Sequence, residues 1–596
     1  MNFSFIGVCL WMLLLVGPVW AGARVIDLAE YRDRFDTTDM TPFIRNLLEK
    51  LDEGENVRIL FPRGTYHFHP ELAFGKYHAV TNHDNGDRYF AFPLVGYRNI
   101  EIDGAGSEFI FHGQIIPFLV EESHGVTLRN FTVDWQMPFT LEGRIMARDT
   151  VRSTIEIEIP DEFGHACENG KLIMRGEGWE ERALGENIVF DPRTMATAYR
   201  SDDYYIPKPD NFDIPVEVLG PGRYELRTRF VRALPPVGTV LTFKGLFSRN
   251  RHSPAIHAST SSDLLVEDVT IHHAGGMGLI AEKTENVTVR RMRVTLRKGS
   301  PRMITTTADA THFCNCRGLV LIEDCLFENM LDDASNVHGT YVRIVEVPDS
   351  NQVIVRINHP QQAGYNFASS GDSLNVVDGE TLLPRASLTV VETERINQHY
   401  VKISFDRNIG DRLRIGDGLE NMSWYPELIF RRNIVRNNRA RSILVSTPCK
   451  VVIEDNIFSS MMSAILFEGD MDHWYESGAV RDVLIRRNQF LDGTYGGADF
   501  PTIFINPHQR RLVPGLPYER NIRIEDNLFR TFNEQLLRAK SVGGLVFQRN
   551  TIEISETYKP YNQLPTVDIR DSERVVIRDN RYLKPGSMRV IREHAW

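Results

Sequence analysis

Val451-Val452-Ile453-Glu454-Asp455-Asn456-Ile457-Phe458 is the stretch that decides the fold. It alternates apolar residues, places two charges, turns at an asparagine and ends on an apolar pair. The pattern returns at Ile485-Arg486-Arg487-Asn488, Ile524-Glu525-Asp526-Asn527, Phe547-Gln548-Arg549-Asn550 and Ile577-Arg578-Asp579-Asn580. Towards the N-terminus it appears at Ile429–Asn433, Leu321–Cys325, Val287–Met292, Leu264–Val269 and Leu128–Phe131. Asn433 to Asn456, Asn527 to Asn550 and Val269 to Met292 all cover one and the same interval, and the other hinge intervals are longer. A basic period of about 23 residues, with loops of variable length added, describes a coil of three short strands. No single coil can bury its apolar face, so neighbouring coils must stack. Asparagine at the hinge can bond the same residue one coil away, and it tolerates the left-handed conformation at a bend. The expected fold is all-β, a right-handed parallel β-helix.

Two intervals break the rhythm: Phe131 to Val269 and Cys325 to Asn433 are each several coils long. Both hold alternating strands without the hinge motif, such as Ser153–Ile159, Val237–Phe243, Tyr341–Val347 and Tyr400–Phe405. They read as two inserted antiparallel β-barrel-like modules. The expected organisation is a cap and first coils at 24–135, a module at 136–250, coils at 251–338, a second module at 339–425 and final coils at 426–596. At the start, Thr41 is expected to cap a short helix with Pro42 at its first position. Ile44, Leu47, Leu48 and Leu51 lie on one helical face, which would cover the open first coil.

The chain has 596 residues, 68 basic and 79 acidic, for a net charge of −11. That balance argues against a nucleic-acid partner. Residues 1–23 are apolar, broken by Gly17-Pro18 and followed by Ala21-Gly22-Ala23, and read as a secretory signal peptide. The mature protein is expected to be secreted or periplasmic, with no later segment able to span a bilayer. Beyond Cys9 five cysteines remain, an odd number, so the chain is not a disulfide scaffold. Cys314-Asn-Cys316 lacks a second spaced pair and reads as small buried residues rather than a metal fragment.

The sharpest chemical cluster is Thr305-Thr-Thr-Ala-Asp309-Ala-Thr-His312 with Asp332-Asp333-Ala-Ser-Asn336-Val-His338-Gly339. Asp309 and Asp332 are separated by that same basic period, one coil. Stacking would gather three carboxylates, and acids held that closely raise at least one pKa. Glycoside hydrolysis needs that asymmetry, one carboxyl protonated and another ionised. Taken singly, each Asp would merely turn or cap a loop; the coil-matched spacing favours function. His312, Asn336 and His338 are the candidate substrate contacts. Neither this cluster nor Asp470-Met-Asp472-His473-Trp474 has a specific metal spacing, and no metal or other cofactor is expected. Trp474, Tyr475 and Trp424 could stack on a sugar or simply pack. The paired hinge arginines read as a solvated face.

The Asp309…Asp332-Asp333 trio resembles that of inverting β-helical hydrolases such as polygalacturonases. The segments Thr306-Thr-Ala-Asp309-Ala-Thr-His312-Phe and Asn329-Met-Leu-Asp332-Asp333-Ala-Ser-Asn336-Val-His338-Gly339 are closer still to the exo-acting α-1,3-galactosidases of glycoside hydrolase family 110. The resemblance runs from Arg24 to the C-terminal coils. It implies removal of terminal α-1,3-linked galactose, from blood-group-B-type or linear glycans, with inversion. Carried over by position, it makes Asp332 the general acid and Asp309 and Asp333 the residues that hold and activate water. Asp332, flanked by the other two acids, is then the expected protonated member. Two other readings compete. A β-helical polysaccharide lyase would need a basic residue on the matched coils and often Ca²⁺. A non-catalytic glycan-binding fibre would release its glycan uncut.

Overall fold

The computed structural model describes residues 22–593 except 204, 232, 584 and 585. The expected signal peptide falls almost wholly on 1–21, outside the described residues. No helix among the described residues is long and apolar enough to cross a membrane.

The chain winds into a parallel β-helix with three strand faces. The first face stacks Glu285–Arg290, Arg317–Glu323, Pro426–Arg431, Lys450–Glu454, Asp482–Arg486, Glu519–Glu525 and Val542–Gln548 in parallel register. The second carries the short strand after each hinge, such as Ile434–Arg436 on Ile457–Ser459. The third stacks Ile256–Ser259, Leu279–Glu282, Thr311–Cys314, Ser335–Asp349 and Ile443–Ser446. Inward residues form one continuous core, with Phe458 stacked 5.4 Å from Phe490 and Phe490 4.7 Å from Phe529.

The hinge divides its labour between two adjacent residues. From Cys325 onward each backbone N–H at the hinge donates to an asparagine side chain one coil ahead. Cys325 bonds Asn433, Asn433 bonds Asn456, then Asn488, Asn527, Asn550 and Asn580 follow, at 2.9–3.0 Å. The left-handed residue is not the asparagine but the one before it. Asp268, Arg291, Asp324, Arg432, Asp455, Arg487, Asp526, Arg549 and Asp579 have φ between 50° and 59°. Asparagine is kept for the ladder because its amide alone supplies both donor and acceptor there. The left-handed positions alternate in sign, so each arginine meets an aspartate of the preceding coil at 2.7–2.8 Å. The arginines expected to be merely solvated are thus paired along the stack.

At the N-terminal end the helix spans Thr41–Leu48, and Thr41 is its first residue rather than its cap. The Thr41 hydroxyl instead accepts from His69 N–H at 2.9 Å, tying the helix to the next strand. Ile44 and Leu48 are buried against the first coils, as the one-face spacing predicts. A strand at Arg24–Asp27 adds to Val57–Leu60 beneath them.

Both insertions are antiparallel. The first orders its strands Ala196–Thr197, Asn187–Asp191, Val240–Phe243, Leu141–Asp149, Thr154–Glu158, Arg223–Arg227 and Val216–Gly220 around a core of its own. Its two edge strands do not pair with each other. The second closes fully: Tyr341–Asp349 pairs Gln352–Arg356, then Tyr400–Phe405, Pro384–Arg395, Ser373–Val377 and Gly418–Asn421, which returns to Tyr341–Arg343. The cysteines beyond residue 21 are free thiols, and Cys314 and Cys316 are small buried residues as read.

Candidate functional site

Asp309 precedes the strand Thr311–Cys314, and Asp332 and Asp333 precede Ser335–Asp349. Those strands pair Thr311 with Ser335 and Cys314 with His338. The local offset is therefore one residue longer than the basic coil. It sets Asp309 over Asp333, with Ala310 N–H donating to Asp333 O at 3.0 Å, and leaves Asp332 one residue aside. The gathering itself occurs: one carboxylate oxygen from each of the three lies within 4.8 Å of the others.

Cations from distant parts of the chain face these acids. Arg251 Nη2 lies 2.6 Å from Asp332 Oδ2, and Arg439 Nη1 3.6 Å from Asp332 Oδ1. Arg441 bonds Asp333 twice, by its guanidinium and by its own N–H, each at 2.7 Å. Lys244 Nζ lies 3.0 Å from Glu186. Three carboxylates this close could chelate a cation, but these guanidinium groups already supply the positive charge that a metal would bring.

Burial and the neighbouring Asp332 charge push Asp309 up to about 8, against the pull of Arg251 and Arg441. Burial also lifts Asp333 well above the usual carboxylate range, opposed by Arg441 and aided by Asp309 and Asp332. Burial acts on Asp332 too, but Arg251, Arg439, Lys244 and Arg441 outweigh it and hold that carboxyl well below the usual range. With the protein's own groups alone, then, Asp332 is the anion and the proton sits with Asp309 and Asp333. The expectation that Asp332 is the protonated member does not hold in this state, because its cations lie off the matched coils.

Hydrogen bonds reach the same answer. Burial and nearby charge bring His312 and His338 down to about 3, so both rings are neutral. His338 Nδ1–H donates to Gly339 O at 2.6 Å, which leaves its Nε2 an acceptor. His312 Nε2 lies 2.8 Å from it and His312 Nδ1 lies 2.8 Å from Asp309 Oδ2; in the tautomer that donates at Nε2, Nδ1 accepts from Asp309. That acceptance requires the proton on Asp309. The Asn82 side-chain nitrogen also lies 2.8 Å from His312 Nε2.

A cavity of about 320 Å³ opens over the acids. Asp332 is the most open of the three, its side chain 14% exposed against 4% and 1% for Asp309 and Asp333. Trp474, Phe247 and Phe500 give it apolar faces, and Asn336 and Glu476 are among its polar lining residues. Of the expected contacts, Asn336 and His312 reach the cavity. His338 does not: it is fully buried and supports His312 from behind. The first module, with Glu186 and Lys244, walls the cavity. The second contributes His359, stacked 4.9 Å behind Trp474. Asp470, in the stretch without metal spacing, holds the Trp474 loop by accepting N–H groups of Asp472, His473 and Trp474 at 2.5–3.1 Å.

Sequence reasoning misses Arg251, Arg439, Arg441, Glu476 and Asn82. Arg441 carries a signal: it follows Asp333 by the same interval that separates the hinges Cys325 and Asn433 across the second module. Arg251 and Asn82 reach the site through loops outside the repeat, and no spacing reveals them.

Two family models match, GLAA-B beta-barrel domain I over residues 141–241 and GLAA-B beta-barrel domain II over 352–419. Among curated proteins, "Alpha-1,3-galactosidase A" of Shewanella woodyi is 33% identical across 93% of this chain and 90% of its own length. "Alpha-1,3-galactosidase B" of Phocaeicola vulgatus is 34% identical across 94% of each. Among solved structures, an exopolygalacturonase from Thermotoga maritima aligns with a TM-score of 0.40 at 11% identity, covering 93% of this chain and 91% of that one.

Proposed function

Because the chain belongs to the α-1,3-galactosidase family that carries GLAA-B β-barrel domains, we propose that it is an exo-acting glycoside hydrolase. It removes terminal α-1,3-linked galactose from blood-group-B-type and linear glycans, with inversion. The observation that carries the reading is the acid trio itself, converging from two neighbouring coils beneath an aromatic-walled cavity of one-sugar size.

The proposed roles are Asp332 as general acid, since it is the carboxyl most open to the cavity, and Asp309 and Asp333 as the pair that holds and deprotonates water. The proton count follows one turnover. Asp332 gives its proton to the departing glycosidic oxygen, the pair takes one from the attacking water, and the anomeric carbon exchanges one oxygen for the other. The enzyme is left with Asp332 ionised and a proton on the pair, the distribution that burial and Arg251 favour in the free site. Before the next cycle the pair must give up that proton and Asp332 must regain one. Inverting sites ordinarily separate acid and base by roughly 6.5–9.5 Å. The oxygens here are closer, so stereochemistry is the direct test.

Proton NMR of the first-formed sugar should show β-galactose; α-galactose appearing first would refute inversion. Asp332→Asn should lose far less activity on an aryl α-galactoside, whose leaving group needs no proton, than on a natural disaccharide. Asp309→Asn and Asp333→Asn should lose equally on both. Equal losses for all three variants would remove Asp332 from the acid role. An unsaturated, ultraviolet-absorbing product would favour the lyase reading. Read as a signal peptide, residues 1–23 would carry this activity out of the cytoplasm, and N-terminal sequencing of the exported protein checks the cleavage.

A further inference from the structure

A second cavity, of about 250 Å³, lies beside the catalytic one. Two chain segments form the partition between them. Asn82 faces the catalytic cavity while Asp84 and Asn85 face the second. Phe247 and Arg251 face the first while Ser248, Arg249 and Asn250 face the second, and Lys244 borders both. The cavities are therefore separated by a single layer of side chains.

The second cavity has the makings of a sugar site. Trp179, half-buried and stacked 5.3 Å from Phe139, presents an aromatic surface to it. Asn85, Asn250 and Arg88 line it with amide and guanidinium groups. Arg88 and Asn250 are more than nine-tenths buried. A lining of amide, carboxylate and guanidinium groups suits a ligand that both donates and accepts. Hydroxyl groups do. The charged lining is balanced, Asp84, Glu180 and Glu181 against Arg88, Lys244 and Arg249, which favours a neutral ligand. The volume suits one sugar ring, below the roughly 300–1,000 Å³ of sites for larger molecules.

We propose that this cavity is a subsite for a neutral pyranose of the same glycan, remote from the bond being cut; the assignment rests on the galactosidase reading. Trp179 also packs against both neighbouring cores. Trp179→Ala is therefore paired with Ser248→Trp, which fills the cavity from its exposed rim. Steady-state kinetics would compare a tetrasaccharide ending in α-1,3-galactose with p-nitrophenyl α-galactoside. Both variants should raise KM for the tetrasaccharide by about 5- to 10-fold with kcat held. KM for the aryl galactoside should not move. No change on either substrate, or an equal rise on both, overturns the subsite. If the parent enzyme cleaves neither substrate, the galactosidase reading fails on its own. Calorimetry of tetrasaccharide binding then decides the subsite: binding that Ser248→Trp abolishes supports it, and binding that survives Ser248→Trp, or no binding at all, overturns it.

Discussion

Aspartate meets arginine in two regions of this molecule, with opposite results. Along the hinge stack, Asp268, Asp324, Asp455 and Asp526 each face an arginine from the adjoining coil, and the pairs are roughly 40% exposed. Hydrogen bonds from those arginines hold every one of the four below the ordinary carboxylate range. In the cavity the same two residue types lie at similar distances, yet Asp309 and Asp333 are raised and Asp332 alone is lowered. Arginine contacts Asp332 and Asp333 as closely as it contacts the hinge acids, and Asp309 bonds His312 instead. Burial and the crowding of three acids are what differ, and they turn ionised surface acids into groups that exchange protons near neutral pH.

The largest expected effect is catalytic. Asn at position 309, 332 or 333 should cut kcat on an α-1,3-galactoside by about 10³-fold or more, within the span of acid–base catalysis. The melting temperature should change least for Asp309→Asn, whose carboxyl is already raised, and should fall for Asp332→Asn, which strips the buried Arg251 of its partner. A variant that keeps full rate returns its aspartate to the structural role that hinge acids play.

The second test makes one substitution in both regions. Arg251→Gln should cost about 3 kcal/mol, because it strips the main partner from a largely buried anion. Arg487→Gln on the hinge should cost less than about 1 kcal/mol and fade in salt. Denaturant midpoints measure both, and equal costs would erase the contrast.

The third test is pH. Asp309 has a folded pKa near 8, above its unfolded value, so its contribution to stability is complete at low pH and is lost as pH rises towards 8. The hinge acids have lowered pKa values and contribute above their unfolded pKa, losing that contribution as pH falls. Asp309→Asn should therefore flatten the alkaline limb of a stability–pH curve, and Asp455→Asn the acid limb. Activity of the parent should decline above about pH 8, where the trio gives up its proton. The smallest effect is the Arg487→Gln melting shift, under about 1 °C for a chain of this length.

Much of this contrast is legible in the sequence because it is periodic. The Ile-x-x-Asn hinge fixes the three-strand coil, and the regular step between hinges brings Asp309 to the two later acids. What the step does not supply is the extra residue in the local offset, which pairs Asp309 with Asp333. Nor does it supply Arg251, which arrives from the exit of the first module. Those two omissions explain why spacing alone misplaces the protonated member: the cation that acts most on Asp332, Arg251, is one that no repeat predicts. At the hinge, the left-handed residue differs from expectation for a simpler reason. Asparagine is the usual occupant of that conformation, but here Asn is needed for the ladder, and the strain falls on its neighbour.

The asparagine ladder has a direction. Every rung runs from the amide of an earlier coil to the side chain of a later one. A chain emerging N-terminus first therefore always ends in a coil whose hinge donor awaits its successor. Each turn supplies the acceptor for the hinge donor of the turn before it, so trimming turns from the C-terminal side should expose one hinge donor at a time.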